Sequence, residues 1–337
     1  MYFRPVEDSD QRFMPLLRPD PASTLTAGQY VQRRASHEYR PEWTWVAEQA
    51  GQPEQAGQPE QQGRATKTAP ADAPPLAVAV WWGDPRAALP AALDGIFVPE
   101  QVEPASRIAL AAELLGAAHR SFAAAGAEEP PAYHVFLPSD WHERANVLAA
   151  LSWRQDAARR AGLSDSLERL QYEWTEQDGV PETAGRLRFR AEPDDEVFVG
   201  LFARVLAGTL DATSQRGASR IGPDAQARAE VAFYRDSMLG ERGWWRVAET
   251  PDGQVAGFAV PSRNTRYPVA GYLGVLPERR GHRFATEILA EITRILVTDA
   301  AATTIRADTD LQNRPMAAAF EQVGYRNIAR RLVLSAR

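Results

Sequence analysis

Apolar residues recur at spacings of three and four through Phe284, Ile288, Leu289, Ile292, Ile295 and Leu296. This pattern predicts a helix with one buried face running through Glu287 to Val297. Just upstream, the apolar stretch ending at Tyr272 to Val275 reads as a strand, and residues 276–283 read as the turn between strand and helix. Short β-branched and aromatic runs at Leu76 to Trp82, Leu167 to Trp174, Leu187 to Arg190 and Gln254 to Val260 predict further strands. Phe13 to Leu17 and Val197 to Leu206 read as helix-like stretches. Strands alternating with helices imply an α/β or α+β fold, with helices covering mixed, twisted sheets.

The pattern occurs twice. Trp43-Thr44-Trp45-Val46-Ala47-Glu48 reappears as Trp244-Trp245-Arg246-Val247-Ala248-Glu249. Phe3-Arg4 and Phe189-Arg190 each open a half, and in both halves an acidic turn, a helix-like stretch and a further strand follow in the same order. Shared order predicts a tandem fold with domains at 1–178 and 186–337, joined by the glycine- and proline-containing segment Gln177 to Gly185. A tandem hexapeptide, Ala-Gly-Gln-Pro-Glu-Gln, occupies Ala50 to Gln55 and Ala56 to Gln61 and opens a polar stretch reaching Pro75. No core residue lies in it, so a flexible insertion at about 50–75 is expected in the first domain.

Composition narrows the chemistry. There is no cysteine, which removes disulfides, thiolate nucleophiles and cysteine-ligated metals. Lys67 is the sole lysine and lies in no phosphate-loop or Schiff-base setting. His37, His119, His134 and His142 are scattered without ligand spacing, so no metal site is expected. A formal net charge of −6 argues against nucleic acid as a main partner. No apolar run is long enough for a bilayer and no signal sequence is evident, so the expectation is a cytoplasmic protein with no membrane partner. The oligomeric state is open.

The strand–turn–helix at residues 272–297 carries the informative chemistry. A helix start leaves its first-turn amides unpaired and directs them, with the positive end of the helix dipole, into the turn. A phosphate is the natural ligand there. The residues of this segment resemble those of the GNAT N-acetyltransferase superfamily, whose pyrophosphate loop reads Gln/Arg-x-x-Gly-x-Gly/Ala after a strand ending Val-x-Pro. Val275 and Pro277 match the strand end, Arg280 the first loop position and Ala285 the last, while Arg283 stands where the family has glycine. A second match follows: Asn313, Met316, Phe320, Gly324 and Tyr325 fit the family's later helix. In that helix Asn313 suits a cap, Pro315 the first turn and Gly324 a left-handed end.

The resemblance implies acyl-CoA, in the first instance acetyl-CoA, as the cofactor. It would be held by Leu273, Gly274, Val275, Arg280, Gly281, His282, Arg283, Phe284, Ala285, Thr286, Asn313 and Phe320. It also implies direct attack of an amine on the thioester. The family's usual base would fall at Val269 or Gly271 and its usual tyrosine acid at Phe320, none of which transfers a proton. Tyr272, Asp308 and Asp310 are the nearest substitutes in sequence. In the first half the loop equivalent, Ile96 to Ala105, has Glu100, Glu103 and Pro104 and no glycine or arginine, so that copy reads as degenerate. The tandem arrangement is similar to the mycothiol synthase-like two-domain acetyltransferases. The expected function is N-acylation of a small-molecule amine. The alternatives are a non-catalytic CoA-binding or sensor module and a protein or peptide N-acyltransferase.

Overall fold

The structure is a computed structural model that describes residues 1–49 and 73–337; the tandem hexapeptide and most of the polar stretch after it lie outside the described residues. Packing divides the chain into two compact units, Met1–Leu167 with Arg331–Arg337, and Glu168–Arg330.

The first unit contains β1 (Tyr2–Pro5), α1 (Ala27–Ala35), β2 (Thr44–Glu48), β3 (Ala77–Trp82), β4 (Ala92–Phe97), α2 (Pro104–Ala124), β5 (Ala132–Pro138) and α3 (Ala145–Arg160). Its strands lie in the order β1-β2-β3-β4-β5, antiparallel except for the parallel β4–β5 pair. Both faces of β3 are buried, and its side chains divide by parity. Ala77, Ala79 and Trp81 join the cluster under α2 and α3, and Val78 and Val80 join Phe13, Leu25 and Tyr30 on the other side. The expected helix at residues 13–17 is a correction. Only a 3₁₀ turn forms there, Met14–Leu16, because Pro19 lacks the amide that would return to the Pro15 carbonyl. The helix of this region is α1, which starts at a capping box between Thr26 and Gln29.

The second unit begins within β6 (Asp165–Thr175) and continues through β7 (Arg188–Ala191), α4 (Asp195–Leu206), α5 (Ala212–Ile221) and α6 (Pro223–Ala232). It is completed by β8 (Arg246–Glu249), β9 (Val255–Arg263), β10 (Pro268–Val275), α7 (Phe284–Ala300), β11 (Thr304–Asp310), α8 (Arg314–Gln322) and the start of β12 (Arg326–Ser335). The strand order is β6-β11-β10-β9-β8-β7. The predicted helices at 197–206 and 287–297 lie within α4 and α7. On α7, Ile288, Leu289, Ile292 and Leu296 are fully buried in one core cluster with Phe284, Trp174 and Ile305, as their spacing requires.

The duplication holds at the level of hydrogen-bond register. Phe3 opposes Ala47 and Arg4 opposes Val46, and in the second unit Phe189 opposes Ala248 and Arg190 opposes Val247. Even the flanking ion pair recurs, with Arg4 Nε donating to Glu48 at 3.0 Å and Arg190 Nε to Glu249 at 2.7 Å. The closing strands are distributed differently from chain order. β6, which ends the first copy, is antiparallel to β11 from Thr304↔Thr175 to Asp310↔Arg169 in the second unit, while Arg331–Arg337 belongs to the first.

Candidate functional site

At the start of α7, β10 ends, a 3₁₀ turn covers Pro277–Arg279, and the helix opens at Phe284. Its N-cap residue, Arg283, has φ 59° and ψ 26°, a left-handed conformation. That geometry explains why glycine is usual here, and arginine holds it at a cost of about 1 kcal/mol. Among the described residues, no side chain caps this helix. The Thr286 amide donates to the Arg283 carbonyl at 3.2 Å, and the amides of Phe284 and Ala285 before it are available to an anion, with the dipole adding to the attraction. The loop is braced by Arg186, which donates to the His282 carbonyl at 2.8 Å and through Nε to the buried Glu287 carboxylate at 2.5 Å. The Arg186 guanidinium also lies over the Phe284 ring at 5.4 Å. Gly281 and His282 are exposed, and Ala285 and Thr286 are half-buried.

Arg280 has partners the sequence did not suggest. Its guanidinium donates to the carbonyls of Val205 at 2.9 Å, Ala207 at 3.0 Å, Gly208 at 2.9 Å and Val275 at 3.3 Å. The C-terminal carbonyls of α4 have no helical partners, and the guanidinium satisfies them. Its charge is thus spent on tying the loop to α4, and the anion-binding capacity rests on main-chain amides.

The corresponding helix of the first unit differs at this point. The Glu103 carboxylate accepts from the Ser106 amide at 3.0 Å, and Pro104, the first residue of α2, has no amide to give. The start of α2 is already occupied by the protein's own anion.

Next to the α7 loop, two strands separate. β10 and β11 are parallel and pair at Val269↔Arg306, after which the ladder stops. β10 has a bulge between Val269 and Tyr272. Gly271 sits in it, where a Cβ would lie 2.7 Å from the Val260 carbonyl oxygen and 2.9 Å from the Tyr234 ring. The Tyr234 hydroxyl donates to the Gly271 carbonyl at 2.8 Å and fixes the bulge. Beyond it, the β11-facing edge of residues 272–275 has no strand partner among the described residues, and Leu273 and Gly274 present main-chain groups there while the Val275 carbonyl accepts from Arg280.

A polar cluster lines this region. Arg169 on β6 donates to Asp308 at 2.8 Å and to Asp211 at 3.5 Å, and its Nε lies 3.4 Å from Asp310. Gln171 donates to the other oxygen of Asp308 at 3.0 Å. Asp310 is buried and accepts from the Ala212 amide at 2.7 Å, the first residue of α5. Burial raises the Asp310 carboxyl, and Arg169 and the Ala212 amide partly offset this. Tyr272 stacks on Phe258, with centroids 5.8 Å apart, and faces Tyr234 at 6.3 Å. Burial pushes its hydroxyl well above the usual tyrosine value, with Asp211 and Glu230 adding to the shift. On α6, Glu230 accepts from Gln226 at 2.9 Å and from the Ser214 hydroxyl at 3.3 Å.

The phenol and two acids expected as substitutes, Tyr272, Asp308 and Asp310, therefore do lie on the separating strands. Asp310 is committed to the start of α5 and Asp308 to Arg169 and Gln171. Two cofactor residues expected from the later helix have structural partners. Asn313 caps α8 by accepting from the Met316 amide at 3.3 Å. Phe320 is only 3 % exposed and stacks on Tyr172 at 4.7 Å, so its ring belongs to the core. Arg169, Asp211, Glu230 and Tyr234 escaped the sequence reading because they come from β6, α5 and α6, outside either motif. Among the described residues, no group of three or more His, Cys, Asp or Glu is arranged to hold a metal, and no helix is long and apolar enough to cross a membrane.

This arrangement of a left-handed residue at the helix start, a bulged strand and a parallel neighbour that separates from it is the GNAT fold. Residues 218–325 match the family described as Acetyltransferase (GNAT). A solved GCN5-related N-acetyltransferase from Sphaerobacter thermophilus is similar over 98 % of this chain and 94 % of its own, with TM-score 0.52 and 13 % identity, a likeness of fold. A tandem GNAT protein from the clavulanic acid biosynthesis pathway aligns over 100 % of this chain and 98 % of its own, with TM-score 0.48 and 18 % identity. No curated protein sequence matches the chain. The match to the GNAT acetyltransferase family thus lies within the second unit, and the first unit repeats the same strand order, so the chain carries two copies of this fold in tandem.

Proposed function

We propose that the second unit transfers a short acyl group, in the first instance acetyl, from CoA to an amine of a small molecule. The observation that carries this reading is the uncapped start of α7 beside the unpaired edge of β10. The amides of residues 281–285 suit a pyrophosphate, and the main-chain groups of Leu273 and Gly274 on the edge facing β11 suit the amide-containing pantetheine arm. Acyl-CoA supplies the activated thioester. The protein's own residues orient it and the acceptor, which by itself accounts for much of the rate enhancement in a direct displacement.

The polar cluster favours a positively charged acceptor. Asp211, Asp308 and Asp310 share the cation Arg169, and Glu230 lies close enough to Asp211 to interact with it, so acids outnumber this cation and an approaching ammonium is attracted and a carboxylate repelled. A thiol-release assay with acetyl-CoA and a panel of small amines is expected to show release that depends on the amine. The absence of a proton-transfer residue at Val269, Gly271 and Phe320 favours a second reading, a CoA-binding module without turnover. That reading would prevail if CoA bound and no amine in the panel accelerated thiol release.

A further inference from the structure

The strand positions where a base would stand hold Val269 and Gly271, yet an acyl acceptor arriving as an ammonium has to lose a proton before its lone pair can attack. We infer that Glu230, on α6, is the general base of the second unit. The assignment rests on the acyltransferase reading above.

Three observations place it there. Tyr234, one helical turn after Glu230, donates its hydroxyl to the Gly271 carbonyl, which anchors this end of α6 against the β10 bulge. Glu230 is linked through Ser214 to α5, whose N-cap is Asp211, so the carboxylate belongs to the same polar cluster as Asp308 and Arg169. Its two hydrogen bonds, from Gln226 and Ser214, both fall on Oε1. The groups that act on it electrostatically are Asp211 before α5, Tyr234 after α6 and Tyr272 on β10, and among the described residues no guanidinium pairs with it. Burial raises this carboxyl above its ordinary value, and Asp211 adds to the rise, against the opposing hydrogen bonds from Gln226 and Ser214. A carboxylate so raised is better matched to accepting a proton near neutral pH than an exposed one.

In the step itself, Glu230 takes one proton from the acceptor ammonium. The freed nitrogen lone pair forms the C–N bond to the thioester carbon as the C–S bond breaks and its electron pair leaves on sulfur. The second nitrogen proton is lost as the amide forms, and the thiolate is protonated, so the reaction as a whole releases one proton to solvent.

The test compares wild type with Glu230→Gln, which keeps size and hydrogen-bonding capacity. At neutral pH the acetyl-transfer rate is expected to fall about 100-fold or more. The gap should close as pH approaches the amine's own pKa, because the amine then arrives neutral. A purely structural role would depress the rate evenly across pH. Glu230→Asp should recover part of the rate, and CoA affinity by calorimetry should be unchanged in both variants. A readout independent of turnover is thermal stability. A raised carboxyl destabilises the fold as pH climbs through its folded value, so Glu230→Gln should melt higher than wild type above pH 7 and equal to it near pH 4. Wild-type turnover with an unaltered rate and pH profile in Glu230→Gln would overturn the base assignment and leave the acyltransferase reading intact. No turnover by wild type on any amine, with CoA still bound, would overturn both.

Discussion

Replacing Ala285 with aspartate is expected to lower CoA affinity about 100- to 1000-fold without weakening the fold. Ala285 is the second residue of α7, half-buried at the helix start where the pyrophosphate is proposed to bind. A carboxylate there would lie about 4–5 Å from a bound phosphate, and at an effective dielectric of about 20 the repulsion is roughly 3–4 kcal/mol. The same charge is favourable to the free helix, since an acid in the first turn complements the dipole by about 0.3–1 kcal/mol. This separates binding from stability, a separation that changes at Arg280 cannot provide. Its guanidinium holds four main-chain carbonyls, so Arg280→Glu would set a carboxylate against them and disturb the loop as well as the site. The check is calorimetric titration with CoA alongside urea unfolding. A stable Ala285→Asp protein with wild-type affinity would show that the anion binds elsewhere.

The largest stability effect is expected at Arg169. Its side chain is mostly buried and is the cation shared by Asp211, Asp308 and Asp310. Arg169→Leu leaves Asp310 buried beside two other carboxylates, and breaking a buried ion pair from one side costs about 3–5 kcal/mol. The deficit should depend on pH in a definite sense. Asp310 is already raised by burial, and losing Arg169 raises it further. A carboxyl raised in the folded state contributes its stability at low pH and loses it as pH rises through the folded value. The gap between variant and wild type should therefore be widest at pH 7–8 and shrink toward pH 4 as the carboxyls take up protons. Urea unfolding across that range measures it. A deficit below about 1 kcal/mol, or one independent of pH, would mean that solvent rather than Arg169 compensates these acids.

The parts of the site that were legible in the sequence are those made of consecutive residues. The α7 face, the strand before it, the Asn313 cap and the Gly324 end are local patterns, and each formed where the spacing put it. The repeated Trp-x-x-Val-Ala-Glu segment was equally readable, because β-register depends on parity that short motifs preserve. What escaped depends on tertiary pairing. Nothing near Arg169 in sequence announces that β6 will lie along β11, more than a hundred residues away, and without that pairing neither the Asp308 partner nor the neutralised Asp310 can be foreseen. Arg280 was read by its place in the loop motif, whereas the uncapped end of α4 engages its guanidinium. Phe320 was read by its place in a motif, whereas Tyr172 and Tyr325 make it a core ring. The first helix was misplaced to residues 13–17 because apolar spacing was weighed without Pro19.

The central claim is that one of two copies of the fold binds the cofactor, the copy whose helix start is left open. The first copy's α2 is capped by Glu103 and begins with Pro104, which adds a negative charge and removes a donor where a pyrophosphate would have to sit. Calorimetric titration of the intact chain with CoA measures this directly. The account predicts one site per chain, lost in Ala285→Asp; a stoichiometry of two, or a single site that survives that substitution, would contradict it.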